Sequence, residues 1–94
     1  MTVDQAHIEP LGDHEYLVRV READATVEIR MYASQAVVRH MAVVDIDETR
    51  IIEATVAYLM QRQRADDLPV NLDLDDVAAA YDGYIADIHL QLSP

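Results

Sequence analysis

Four aspartates within ten residues near the C-terminus are the most obvious candidates for binding a cation. They are Asp73, Asp75, Asp76 and Asp82. A calcium loop beginning at Asp73 would need glycine at its sixth position and glutamate at its twelfth, and this chain has Ala78 and Tyr84 there. The spacing instead predicts a helix capped by Asp73, with Asp75 and Asp76 in its first turn, where the helix dipole stabilises negative charge. We therefore predict no metal ion at this cluster.

The histidines offer a second possible metal site, near the Pro-Gly turn signal that begins at Pro10. His7, Glu9 and His14 flank this turn and could hold a divalent ion if a hairpin brought them together. His14 and Glu15 also begin like a zinc-protease helix, but position 18 is valine where such a helix needs histidine. Exposed strand residues are the simpler interpretation of all three side chains.

Residues for nucleophilic or phosphate chemistry are scarce. The chain has no cysteine, which excludes disulfides, thiolate nucleophiles and Cys-ligated metals. Its only serines are Ser34, a predicted helix cap, and Ser93 near the C-terminus. Its only glycines, Gly12 and Gly83, cannot form a phosphate-binding loop. We therefore predict no catalytic residue, no cofactor and no enzymatic activity.

The charge of the chain excludes another class of function. The formal net charge is −11, and residues 65–94 hold seven aspartates and no arginine. Such a chain repels nucleic-acid backbones and anionic membrane surfaces, so we expect neither as a partner. The N-terminus lacks a secretory signal and no apolar stretch is long enough to span a membrane, which leads us to expect a cytoplasmic protein. With 94 residues, half of them apolar, residues 1–94 should form one domain.

Alternation of apolar residues predicts strands in the first third of the chain. The predicted strands are Val3–Glu9, His14–Arg21 and Thr26–Tyr32. A hairpin turn at Glu22–Ala25 gives a register that pairs Val20 with Val27, Val18 with Ile29, Tyr16 with Met31, and Arg19 with Glu28 on the outer face. Shifting this register by one residue would place apolar side chains opposite polar ones. The pattern of apolar residues therefore favours this one register.

Helical spacing dominates the rest of the sequence. Ser34–Met41, continued by Val44, is typical of a short helix, although its valines also permit a strand. A clear amphipathic helix should start at Asp47 and end at about Arg64, and a last helical region should run from Asp73 to about Leu92 with a break near Gly83. The predicted fold is α+β: an N-terminal antiparallel hairpin or three-stranded meander, followed by two to three helices packed on one face.

Three stretches of the sequence resemble a known family. They are IEPLGDHEYLVRV at 8–20, ATVAYLMQR at 54–62 and LDLDDVAAAYDGY at 72–84. The chain resembles small uncharacterised bacterial proteins, common in actinobacteria, which open with an EPLGDHxYxVxV hairpin and continue with FLLER and FDLxxIxxYFPxY segments. The resemblance implies the hairpin placement and the α+β fold, and it implies no catalytic residue.

One apolar stripe on the last helical region has two interpretations. Its members are Tyr81, Tyr84, Ile85 and Ile88. They either pack in the core or form a face for a partner or a second copy, since tyrosine is enriched in interfaces.

The leading functional hypothesis is a non-enzymatic acidic protein that acts through protein contacts, as a homodimer. One alternative is a small-ligand or divalent-metal-binding module that uses His7, Glu9 and His14. Another is an antitoxin-like regulator or nucleic-acid mimic that uses the acidic C-terminal region.

Overall fold

The computed structural model describes residues 6–22, 25–43 and 46–93. Within these ranges the chain forms a four-stranded sheet and four α-helices. The strands are β1 (Ala6–Gly12), β2 (Glu15–Glu22), β3 (Ala25–Tyr32) and β4 (Asn71–Asp73). The helices are α1 (Gln35–Met41), α2 (Glu48–Met60), α3 (Leu74–Ala80) and α4 (Tyr84–Leu92). This confirms the predicted α+β class.

The first three strands form an antiparallel meander, as predicted, in the order β1-β2-β3. The hairpin register is confirmed: Val20 pairs with Val27, Val18 with Ile29, Tyr16 with Met31 and Arg19 with Glu28. Residues 23 and 24 of the predicted hairpin turn lie outside the described residues, as do Val3–Gln5 of the first predicted strand and Val44.

The turn between β1 and β2 lies further along the chain than predicted. The Pro10–Gly12 segment belongs to β1, and the turn falls at Asp13 and His14. His14 therefore precedes β2 and is not a strand residue. Gly12 has a φ of 94° beside an irregularity in the β1–β2 register, and such a left-handed conformation favours glycine. The glycine thus shapes the end of the strand and not the turn that the sequence suggested.

The core lies between the inner face of the sheet and the helices. Alternate residues of β2 and β3 supply the sheet side of this core, and Val18, Ile29 and Met31 are almost completely buried. The outer face is open and polar. There the Arg19 guanidinium contacts Glu28 at 2.8 Å and Glu9 at 3.6 Å. A sheet with one covered and one solvated face produces the alternation seen in the sequence.

Strand β4 was not predicted. It is three residues long and lies parallel to β3, where Leu72 pairs with Met31 and turns inward. The Arg30 N–H also donates to the Val70 carbonyl at 2.7 Å. Three residues carry too little alternation to signal a strand, so β4 depends on tertiary pairing with β3.

The boundaries of α1 and α2 were predicted only in part. Helix α1 follows Ser34, whose side chain makes no capping hydrogen bond. Helix α2 starts at the predicted cap, where the Asp47 carboxylate accepts from the Thr49 N–H at 3.0 Å. The prediction that α2 reaches Arg64 was wrong, since the helix ends at Met60. Arg62 folds back instead, donates to the Tyr58 carbonyl at 2.9 Å and places its guanidinium 3.6 Å from the centre of the Tyr58 ring. Its side chain thus satisfies a helix-end carbonyl.

The last helical region divides at the predicted break into α3 and α4. The extended backbone of Tyr81 ends α3, and Gly83 precedes α4. Because this break divides the last helical region into two helices, the described residues hold four α-helices where two to three were expected. The predicted cap at Asp73 is confirmed, because its carboxylate accepts from the Asp75 N–H at 2.9 Å.

Replacing the capping aspartate should destabilise the protein. We expect Asp73→Ala to lower the free energy of unfolding by about 1 kcal/mol, because it leaves a helix N–H without a partner. Asp82→Ala is the matched control, since it removes the same charge from an exposed turn residue and should change stability by less than about 0.5 kcal/mol. Urea unfolding of both variants measures the difference. Equal losses would show that the charge and not the cap matters.

Candidate functional site

The aspartate cluster does not gather into a metal site. In the ranges that the structure describes, no three His, Asp or Glu side chains are arranged to hold an ion. Asp73 uses its carboxylate as a helix cap, while Asp75, Asp76 and Asp82 are exposed. The cluster therefore starts a helix and adds negative charge to the surface.

The proposed corner of His7, Glu9 and His14 does not assemble. His7 and Glu9 lie on the outer face of the sheet, because the side chains of Ala6 and Ile8 alternate with them and pack towards the core. His14 lies in the turn and contacts Glu48 on the helix side of the sheet. A metal site from these three residues is excluded by their opposite directions.

A polar cluster that the sequence did not reveal joins the β1–β2 turn to the helices, and we call it the Glu48 latch. The Glu48 carboxylate, in the first residue of α2, accepts from the Tyr16 hydroxyl at 2.7 Å and from the Gln35 amide at 3.0 Å. The His14 Nδ1 lies 3.0 Å from the same carboxylate. Gln35 gives its second amide proton to the Ala33 carbonyl at 2.9 Å. Both amide protons of Gln35 are then used, so neither is left for the His14 Nδ1. Because an ionised carboxylate only accepts hydrogen bonds, Nδ1 itself must carry the proton in its contact with Glu48.

The electrostatics of the latch follow from burial and these donors. Burial alone would raise the pKa of Glu48, but the hydrogen bonds from Tyr16, Gln35 and His14 outweigh it, and the pKa lies below its usual value. Burial, together with the hydrogen bond to the Glu48 carboxylate, raises the pKa of Tyr16 to about 12. The cluster thus stabilises a charged carboxylate beside a neutral phenol.

A carboxylate that orients an imidazole is also found in catalytic triads, where the imidazole activates a nucleophile. Here Nδ1 of His14 faces Glu48, and neither the groove beside β1 nor the groove beside β4 is lined by His14. Asp13 and His14 have φ values of 54° and 67°, a conformation that is costly outside glycine. The latch holds this strained turn against α1 and α2, which is a structural role.

The predicted tyrosine–isoleucine stripe lies mostly inside the molecule. Tyr84 and Ile88 are fully buried. The Tyr84 hydroxyl lies 2.6 Å from that of Thr55, which donates to the Ile51 carbonyl, so Tyr84 is the donor of this pair. Burial raises the pKa of Tyr84 to about 12. These two stripe residues are core residues in the single chain and present no surface to a partner.

The other two stripe residues, Tyr81 and Ile85, are half-buried. Tyr81 meets the ring of Tyr58 edge-on at 5.7 Å, and its hydroxyl accepts from Gln63 at 3.0 Å. Of the four stripe residues, only Tyr81 and Ile85 are partly accessible, so the stripe offers a partner only a small contact surface.

The edge of the sheet at β1 presents unpaired backbone groups. The Arg30 N–H donates to the Val70 carbonyl, beside β4, and therefore points away from β2. N–H groups alternate in direction along a strand. By the registers of β3 with β2 and of β2 with β1, the N–H groups of Ala6 and Ile8 point away from β2, towards the open edge. Pro10 has the same direction, and its missing N–H removes no sheet hydrogen bond. In the described part of the chain no strand lies beyond β1. From the sequence, Pro10 indicated only a turn, although proline within an alternating segment is also typical of an edge strand.

A groove runs beside this edge, with a volume of about 470 Å³. Its lining combines small or apolar side chains with one arginine and one glutamate. The lining residues are Ala6, Arg50, Glu53, Ala54, Ala57, Gln91 and Leu92. Because Ala54 and Ala57 are small, another chain can approach the α2 backbone closely here. We call β1 together with this groove the β1–α2 edge.

A second groove, of about 230 Å³, lies at the other side of the sheet beside β4. Its charged lining residues are Glu15, Arg30, Asp73 and Asp76. Its uncharged lining residues are Tyr32, Asn71 and Leu72. Large exposed apolar side chains elsewhere in the described ranges, such as Val70 and Leu90, are scattered singly, as on most proteins.

Comparisons with protein-family models, curated proteins and solved structures give no significant match. The resemblance to the actinobacterial family therefore stays a prediction. In the part of the chain that the structure describes, no helix combines the length and apolar character needed to cross a membrane.

The Glu48 latch predicts a pH-dependent stability. We expect Glu48→Gln to lower the free energy of unfolding at pH 7 by about 1–3 kcal/mol, since its amide would face the donors of Gln35 and His14. Asp82→Asn, an acid-to-amide change at an exposed turn residue, is the control and should cost less than about 0.5 kcal/mol. Denaturant unfolding measures both.

The sign of the pH effect follows from the lowered pKa of Glu48. Its stabilisation is fully present above the ordinary value of 4.5 and is lost as the pH falls through the lower value in the folded protein. The difference between the wild type and Glu48→Gln should therefore shrink on acidification below 4.5. A difference that stays constant down to pH 2 would contradict the assignment.

Proposed function

We propose that this protein acts through protein contacts as a homodimer and performs no chemistry itself. The observation that carries the proposal is the β1–α2 edge, where backbone groups that pair with no described strand lie beside a groove lined by both apolar and charged side chains. The opposite edge, at β4, is only three residues long, and three acidic side chains, Glu15, Asp73 and Asp76, line the groove beside it.

An unpaired edge strand is a liability for a protein, because it can pair with any other extended chain. Proteins usually protect such edges with lysines, prolines, bulges or covering segments. This chain has no lysine, and the proline of β1, Pro10, lies in the second half of the strand, which leaves residues 6–9 open to pairing. Strand β1 is seven residues long, and its one irregularity lies at the far end, between Pro10 and Gly12. Pairing with a second copy would cover the edge and satisfy its backbone groups.

Charge also favours this surface for self-association. Two copies that carry a net charge of −11 each repel one another unless they meet where charges are balanced. At the rim of the groove Arg50 and Glu53 have opposite charges, and the Glu9 carboxylate next to β2 is paired with Arg19. The exposed aspartates of α3 and of the α3–α4 turn lie on other elements.

Filling the groove should separate the two copies. We expect the wild type to be a dimer by light scattering, and Ala57→Arg to be a monomer, because a long charged side chain would occupy the groove. Ala79→Arg makes the same substitution at an exposed position of α3 and should remain a dimer. Circular dichroism confirms that both variants are folded.

Two results would contradict the proposal. One is a wild-type monomer across the micromolar to millimolar range. The other is a dimer that Ala57→Arg leaves intact while the variant stays folded, since the copies would then meet at a different surface.

A further inference from the structure

We infer that two copies join their β1 strands antiparallel, with Ile8 on the two-fold axis, so that one sheet continues through both copies. The inference rests on the proposed homodimer and specifies its interface to the residue. It follows from the direction of the backbone groups of β1 and from the side chains that each possible register would place together.

The backbone of β1 fits this register. Ile8 directs its N–H and C=O outward, so two Ile8 residues on the axis exchange reciprocal hydrogen bonds. The Ala6 N–H of each copy then meets the Pro10 carbonyl of the other. Pro10 lacks an N–H, but this position still uses its carbonyl. Every outward donor of Ala6 and Ile8 finds an acceptor.

The side chains on the outer face select the same register. With Ile8 on the axis, the His7 imidazole of each copy lies opposite the Glu9 carboxylate of the other, and the two can hydrogen-bond. Both side chains are exposed on one face of the sheet. On the inner face Ile8 then lies opposite Ile8 of the other copy, and Ala6 lies opposite Pro10; Ala6 and Ile8 are half-buried and pack towards the core.

Neighbouring registers are worse in identifiable ways. With Glu9 on the axis, two carboxylates would lie directly opposite each other, which is destabilising. In that register the Ile8 N–H of each copy would donate to the Pro10 carbonyl of the other. Proline has no N–H to donate back to the Ile8 carbonyl, so each Ile8–Pro10 pair forms one of its two backbone hydrogen bonds. With His7 on the axis, two imidazoles face each other and Glu9 loses its histidine partner. Among the registers centred on His7, Ile8 and Glu9, the one centred on Ile8 uses both outward N–H groups and also places each His7 opposite a Glu9.

Cysteine cross-linking tests this register, because the chain has no cysteine of its own. We would prepare His7→Cys and Glu9→Cys chains, mix them to allow subunit exchange, and oxidise. In the proposed register, position 7 of one copy lies opposite position 9 of the other at a non-hydrogen-bonded pair, about 4.5 Å between Cα atoms, which suits a disulfide. The expected result is a covalent dimer in the mixture and little in either variant alone.

A charge exchange gives a second measurement that needs no disulfide. His7→Glu places two carboxylates opposite each other twice per dimer and should weaken the dissociation constant by roughly two- to thirtyfold. Adding Glu9→Lys to that variant should restore it. The control is His40→Glu, the same substitution at an exposed position of α1, which should leave the dissociation constant unchanged.

The outcomes separate this inference from the proposed function. A dimer by light scattering that shows neither the mixed cross-link nor the charge rescue would overturn the register and leave the homodimer in place. Cross-linking of His7→Cys alone or of Glu9→Cys alone would move the axis to that residue and overturn the inference. A monomer at all concentrations would overturn both proposals.

Discussion

The structure depends on one constraint, the alternating direction of backbone groups along each strand. Three antiparallel strands share one pattern of pairing, and the bond from Arg30 to Val70 fixes which residues point outward. At the other end of the sheet the same pattern allows Pro10 in β1, because its ring nitrogen faces away from β2. Along a strand, both the side chains and the backbone N–H groups alternate in direction with a period of two residues. The residues of β1 whose N–H groups point to the open edge of the sheet are therefore the same ones whose side chains face the core.

The helices complete the surface beside that edge. Helix α2 lies against β1 and forms one wall of the groove. The Glu48 latch holds its first turn to the β1–β2 turn, and the hydrogen-bonded pair of Thr55 and Tyr84 holds its middle to α4. Both sets of polar groups are hydrogen-bonded within the chain, so they hold α2 in a fixed position. The position of α2, and with it the shape of the groove, therefore follows from these contacts.

Much of this fold could be predicted from the sequence, because local patterns decide it. Alternation gave the β2–β3 register, and the caps at Asp47 and Asp73 marked two helix starts. Strand β4 and the latch could not be found, since they depend on partners far along the chain, such as His14 and Glu48. The turn was misplaced because the Pro-Gly signal is local, while the pairing of β1 with β2 extends through it. Pro10 was interpreted only as part of a turn signal, although a proline within an alternating segment is also typical of an edge strand.

The most direct test of the central claim is amide hydrogen exchange at Ile8, followed by NMR at several protein concentrations. Among the described residues of a single chain this N–H has no sheet partner, whereas its neighbours at His7 and Glu9 bond to β2. If two copies pair through β1, exchange at Ile8 should slow as the concentration rises through the dimer range, and should stay fast in the Ala57→Arg variant. If Ile8 exchanges as fast in the dimer as in the monomer, the two copies do not meet at this edge.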